Sequence, residues 1–167
     1  MTMCSIVLVV HNVRSAHNVG SVLRTAEGLG IDQVYLTGYS PYPLSKDDAR
    51  LPHLAAKTHK QISKTALGAE NSLKWTRQED ISRLIKDLKM ENYQIVALEQ
   101  TRTATDLTKF KSGSDLALIV GSELGGLDKS VLDLCDVHIH IPMSGKKESF
   151  NVSVAAAIAL YHLRNLP

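Results

Sequence analysis

The chain reads as an α/β protein: one mostly parallel sheet with helices on both faces. Three observations predict this. Apolar, β-rich runs recur at residues 5–10, 33–37, 93–98, 116–121 and 137–142. Helical patterns lie between several of them, and such alternation is what crossover connections produce, since each crossover helix covers a face of the sheet. Finally, the 167 residues contain no internal repeat, low-complexity tract or interdomain linker, so a single domain over 1–167 is expected.

Taken in order, the run at 5–10 opens the sheet, and Val19, Leu23, Ala26 and Leu29 trace the first helix, with Gly28 and Gly30 near its end. A second strand follows at 33–37. Ile81, Leu84, Ile85 and Leu88 keep the i, i+3, i+4, i+7 spacing of an amphipathic helix ahead of the strand at 93–98. After the run at 116–121, Val131, Leu132 and Cys135 mark a short helix. The last strand gives way to a loop holding Gly145, Lys146 and Lys147. A small-residue helix then starts at Ser149 or Asn151, either of which can cap it by accepting a hydrogen bond from a free first-turn amide. Alanines 155, 156, 157 and 159 leave one face of that helix nearly smooth, suited to close backbone approach. Residues 39–56 and 100–114 read as long loops, of a length that is usually functional or mobile in a compact domain.

No apolar run reaches the roughly 18 residues of a membrane helix, and the N-terminus lacks the features of a signal peptide. A cytoplasmic protein without a membrane partner is expected. Cys4 and Cys135 stand alone, without metal-ligand spacing, and read as buried structural thiols. Net charge is only +2, but residues 41–77 carry Lys46, Arg50, Lys57, Lys60, Lys64, Lys74 and Arg77 against Asp47, Asp48 and Glu70. A local basic surface of that kind can hold a polyanion, because neutralising phosphates releases condensed counterions; a solvated loop and helix face is the alternative.

Three segments carry chemistry. In residues 12–30 a strand runs into a helix, as in a dinucleotide-binding turn. Asn18-Val19-Gly20 supplies a single glycine there, so the phosphate fingerprint is missing. What remains is Asn18 at a helix start and Arg24 nearly two turns on, groups able to hold a phosphate or ribose. In residues 117–128 Gly121 ends an apolar strand, Glu123 sits just beyond, and Gly125-Gly126 turns the chain; ligands of open α/β sheets bind at such strand ends. The third segment, residues 141–165, lacks the upstream glycine of a P-loop, which excludes that route to nucleotide hydrolysis.

In this order the three segments resemble the motifs of the SPOUT superfamily, and within it the TrmH (SpoU) family of RNA 2′-O-ribose methyltransferases. Asn18…Arg24 resembles the first motif, Val120-Gly121-Ser122-Glu123 the second, and Ile141-Pro142-Met143 with Ser149-Phe150-Asn151 the third. The resemblance covers roughly residues 5–164 and implies a deep C-terminal trefoil knot, a rare exception to the usual threading rules. It further implies an S-adenosylmethionine pocket in the knot, a homodimer with active sites near the subunit interface, and tRNA or rRNA as substrate. By the motif positions, Leu98, Glu99, Thr101, Gly121, Glu123, Ile141, Met143, Ser149 and Asn151 would line the cofactor pocket. Arg24, Asn18, Ser149, Asn151 and Glu123 would form the catalytic set. Arg14, Arg24, Lys57, Lys60 and Lys64 would meet RNA, and no metal is implied. Only four residues precede the first strand, so no N-terminal RNA-binding extension is expected; the basic segment must grip the RNA, which favours a compact tRNA over rRNA. A base N-methyltransferase of the same superfamily and a non-enzymatic RNA-binding factor are the alternatives.

Overall fold

A computed structural model describes residues 4–166. Its parallel sheet has seven strands in the order β3-β2-β1-β6-β4-β7-β5. They are β1 (Ile6–His11), β2 (Gln33–Thr37), β3 (Trp75–Gln78), β4 (Gln94–Leu98), β5 (Thr105–Asp106), β6 (Leu116–Val120) and β7 (Val137–His140). The interior strand β1 is buried along its length and pairs Val9 with Tyr35 on β2 and with Ile119 on β6. Two edge strands, β3 and β5, were not expected. β3 reads Trp-Thr-Arg-Gln and β5 is only two residues long, so their pairing comes from the backbone ladder and not from an apolar pattern.

Period-two alternation splits the core in two. Ile6, Leu8 and Val10 point to the face covered by α1 (Ala16–Gly28), α2 (Pro52–Ala66), α3 (Ala69–Ser72) and α6 (Val152–Arg164). Val7 and Val9 point to the opposite face, under α4 (Ile81–Met90) and α5 (Lys129–Leu132). Both faces are thus covered, as the sequence predicts.

Local chemistry differs from the sequence reading in four places. The α1 N-cap is Ser15, whose hydroxyl accepts from the Asn18 N–H at 3.3 Å, so Asn18 lies inside the first turn and its side chain is released for other work. Residues 52–56 belong to α2, which starts at Pro52, a residue suited to a first turn because it lacks the N–H that would be orphaned there. The shortened loop before it is stapled. Arg50 pairs with Asp48, donates to the carbonyls of Tyr42 and Pro43, and lies 3.6 Å over the Tyr42 ring. The 100–114 segment holds β5 and a single 3-10 turn over Leu107–Lys109, with Leu107 and Phe110 buried against the main core. Cys4 is exposed, ahead of the first strand and outside the core; Cys135 is half-buried and bonded to the Val131 carbonyl, and burial pushes its thiol up to about 11.

Helix α1 anchors the larger layer. A Cβ at Gly20 would meet the Ile62 carbonyl and the Thr65 hydroxyl at 2.2 Å, so only glycine lets α1 and α2 cross this closely. The Thr65 hydroxyl donates to the His17 carbonyl at 2.8 Å in the same crossing. The C-terminal end of α6 is fixed by Arg164, which donates to the carbonyls of Leu29, Gly30 and Cys4. Among the described residues no helix is long and apolar enough to cross a membrane.

Candidate active site

The carboxyl ends of β4, β6 and β7 open into a cleft of about 590 Å³, within the range of small-molecule sites. Leu98, Glu99, Gly121, Glu123, Ile141, Met143, Ser149 and Asn151 all line it. Of the expected cofactor residues only Thr101 falls outside. Its hydroxyl turns to His138 Nδ1 at 3.1 Å, and it lines an adjoining groove with Lys146 and Lys147.

The cleft floor is shaped by glycine. Ser122 and Gly126 bond backbone to backbone in both directions, at 3.1 and 3.0 Å, and close the turn after β6. A Cβ on Gly121 would lie 2.5 Å from the Gly126 carbonyl carbon, and one on Gly126, at φ 65°, would lie 2.0 Å from the Glu99 carboxylate. Glu99 is committed to structure, accepting from the N–H groups of Leu127 at 2.9 Å and Gln100 at 3.0 Å.

Glu123 ties the three motif segments together. Its carboxylate accepts from the N–H of Arg14 at 2.9 Å, the N–H of Ser15 at 3.1 Å and the Asn18 amide at 2.9 Å. Burial works against the charged form, but these donors outweigh it and hold the Glu123 carboxyl below its ordinary value. At neutral pH it is therefore an ionised anchor and a poor proton acceptor. Asn18 passes the connection on, its side-chain oxygen accepting from the Asn151 amide at 3.3 Å. The Asn151 oxygen in turn accepts from the N–H and hydroxyl of Ser153. Asn151 thus caps α6 with one end of its amide and holds Asn18 with the other, so capping and site assembly are a single arrangement.

Arg24 stands apart. It is exposed on α1, about 9 Å along the helix axis from Asn18, and among the described residues its guanidinium makes no hydrogen bond or ion pair. Helical side chains lean toward the N-terminus, which inclines Arg24 toward the Asn18 end. Arg14 is also exposed, with only its backbone engaged by Glu123. On α2, Lys57, Lys60 and Lys64 are exposed at i, i+3 and i+7, opposite the buried Ala55, Ile62 and Ala66, and so form one basic stripe.

His140 and Gln100 line the cleft without having been singled out in the sequence. His140 follows the buried Ile139 at the end of β7, and its Nδ1 is buried with no partner among the described residues. The Gln100 side-chain amide donates to the Glu148 carbonyl at 2.7 Å and joins the loops at 99–104 and 141–151. A polar residue just past a strand's last core position was the available signal for both. Among the described residues no cluster of His, Cys, Asp and Glu could hold a metal ion.

Fold and site together define a doubly covered parallel α/β protein with a small-molecule cleft at its strand ends and an asparagine–glutamate network at the rim. Residues 5–161 match the SpoU rRNA Methylase family, and the chain belongs to that family. A Staphylococcus epidermidis protein described as a TrmH family tRNA/rRNA methyltransferase is 31% identical over 159 residues, 95% of this chain and 58% of that protein. The SpoU methyltransferase AviRb from Streptomyces viridochromogenes, solved with AdoMet, superposes with a TM-score of 0.80 at 21% identity, over 98% of this chain and 58% of its own. A structure described as an RNA 2′-O ribose methyltransferase gives 0.78 at 25% identity, over 97% and 56%. The chain therefore spans under two thirds of the length of these relatives.

Proposed function

We propose that this protein is an S-adenosylmethionine-dependent RNA methyltransferase that acts on a ribose 2′-hydroxyl, with tRNA favoured over rRNA. The observation that carries the reading is the Glu123–Asn18–Asn151 chain of hydrogen bonds, which joins all three motif segments at the rim of a strand-end cleft. Family membership and the likeness to a ribose methyltransferase support it.

The cleft suits the cofactor. Leu98, Val120 and Ile141 offer apolar wall, and glycine keeps the floor open. When bound, S-adenosylmethionine supplies a methyl already activated by positive sulfur. The protein must align the 2′-oxygen and manage its proton. Guanidinium stays protonated, so Arg24 acts by holding the ribose and a neighbouring phosphate, and that phosphate can take the proton. Asn18, Asn151 and Ser149 fix the surrounding geometry, and Glu123 keeps Asn18 oriented. The basic stripe on α2, with Arg14, meets the RNA backbone. The trefoil threading of the segment before α6 belongs to the same reading, as does a cytoplasmic location.

The working unit in this proposal is a homodimer. α6 exposes Val154, Ile158 and Tyr161 along one face, and Ile158 and Tyr161 border an apolar groove with Thr25, Gly28 and Leu29. Thr25 directly follows Arg24, so a second copy seated there would put Arg24 at the subunit boundary. Ile158→Glu is expected to yield monomers by light scattering and to lower methylation, with a circular dichroism spectrum like that of wild type; an intact dimer would count against this face.

The reaction is tested with isotopically labelled S-adenosylmethionine and separate pools of tRNA and rRNA, followed by digestion to nucleosides. Label in a 2′-O-methylnucleoside is the expected result. Label on a base would make the protein a base N-methyltransferase, and failure to bind the cofactor would favour a non-enzymatic RNA-binding role.

A further inference from the structure

Two tyrosines sit in the loop after β2, and their surroundings differ sharply. Tyr42 packs against the main core, with the Arg50 guanidinium 3.6 Å over its ring and that of Arg77 at 5.4 Å. Tyr39 has no such cover among the described residues, and 59% of its surface is exposed. An exposed aromatic on a loose loop would mean little. Tyr39 is on a braced turn.

The bracing comes from three directions. Its N–H donates to the Asn12 side-chain oxygen at 3.1 Å. The next residue, Ser40, donates to the Val10 carbonyl at 2.9 Å and accepts from the Val13 N–H at 3.0 Å. Arg77 donates to the carbonyls of Leu36 and Gly38. Asn12 and Gly38 hold left-handed backbone, at φ 55° and 62°, and a Cβ on Gly38 would collide with the Asn12 amide. A non-glycine residue is kept in that region only when its surroundings impose it. None of these contacts uses the Tyr39 ring, so the turn presents a rigid, uncommitted aromatic face.

Its position gives that face a use. The segment bonded to the Tyr39 turn, residues 12–13, runs directly into Arg14 and Ser15, whose N–H groups hold Glu123 and through it Asn18 and Asn151. Strands β2 and β6 flank β1, so the Tyr39 turn and the Gly121 turn lie at the same sheet end, about 10 Å apart by strand spacing. The free Arg14 side chain comes from the segment between them.

We propose that Tyr39 is a base-stacking platform, and that an unpaired RNA base next to the methylated ribose lies on its ring while Arg14 meets the intervening phosphate. The inference rests on the RNA-methyltransferase reading above. Single-stranded RNA is commonly recognised by splaying bases onto aromatic side chains, and a rigid tyrosine does so at low entropic cost. The substrate nucleotide would therefore lie in a loop or bulge and not within a paired stem.

The test compares wild type with Tyr39→Phe, Tyr39→Leu and Tyr39→Ala. Readouts are methylation kinetics on the tRNA and rRNA pools, RNA affinity by filter binding, S-adenosylmethionine affinity by calorimetry, and melting temperature. Loss of one stacked base is expected to weaken RNA affinity about 5- to 150-fold in the Leu and Ala variants, with Phe close to wild type. Cofactor affinity and melting temperature should not move, since the bracing bonds use only the backbone of residue 39. Leu and Ala variants matching wild type on RNA that wild type methylates would overturn the platform and leave the enzyme reading intact. Leu matching Phe would also overturn it, because apolar contact would then suffice. A wild-type protein that neither binds nor methylates RNA would remove both readings together.

Discussion

Arg24→Ala is expected to reduce RNA methylation by about 10²–10³-fold, the usual cost of deleting one aimed charge-stabilising donor. Cofactor affinity should hardly change, because Arg24 is exposed on α1 and is not among the residues lining the cleft. It also makes no intramolecular bond among the described residues, so its loss leaves no partner stranded and little stability is at stake. Arg24→Lys is the more informative variant. It keeps the charge but loses the planar fork that can grip ribose and phosphate together, so most of the loss should persist. Lysine activity near that of wild type would show that charge alone suffices and would sink the bidentate role.

Gly121→Ala is expected to abolish S-adenosylmethionine binding measured by calorimetry. The added methyl would lie 2.5 to 2.8 Å from the backbone of Gly126 and Leu127. No side chain can swing away to relieve that contact, so the turn itself must shift. The shift would break the paired bonds between Ser122 and Gly126 and disturb Glu99, which braces Leu127. Overpacking of this kind costs about 1–3 kcal/mol, or a fall in Tm of roughly 2–12 °C for a domain of this size. A variant that binds the cofactor like wild type would mean the turn yields without deforming the cleft.

Much of this architecture was legible because the signals were local. The apolar runs behind β1, β2, β4, β6 and β7 appear in place, β2 with the same ends and the others with ends shifted by a residue or two, and the Ile81–Leu88 periodicity became α4. Helix α2 was hidden for a physical reason. Only Ala55, Ile62 and Ala66 are buried along its fifteen residues, and two of these are alanines, so its buried face offers a single large apolar residue to read. Its close seat on α1 comes from the space left at Gly20, which no windowed reading of α2 contains. The edge strands β3 and β5 were equally silent, since edges need backbone partners more than apolar side chains.

The site divides along the same line. From the sequence alone followed the fold class, the three motif segments, and the residue types at the strand ends, because these depend on composition and spacing over a few residues. Only tertiary structure decided what each side chain does. Ser15 took the α1 cap and released Asn18. Glu123 became an anchor by accepting two backbone N–H groups more than a hundred residues away. Thr101 turned out to His138, and Tyr39 was braced from Asn12 and Arg77 while its ring stayed bare. Hydrogen-bond partners are chosen by which segments the sheet order brings together. That choice is a property of the whole chain's packing, which a single stretch of sequence does not carry.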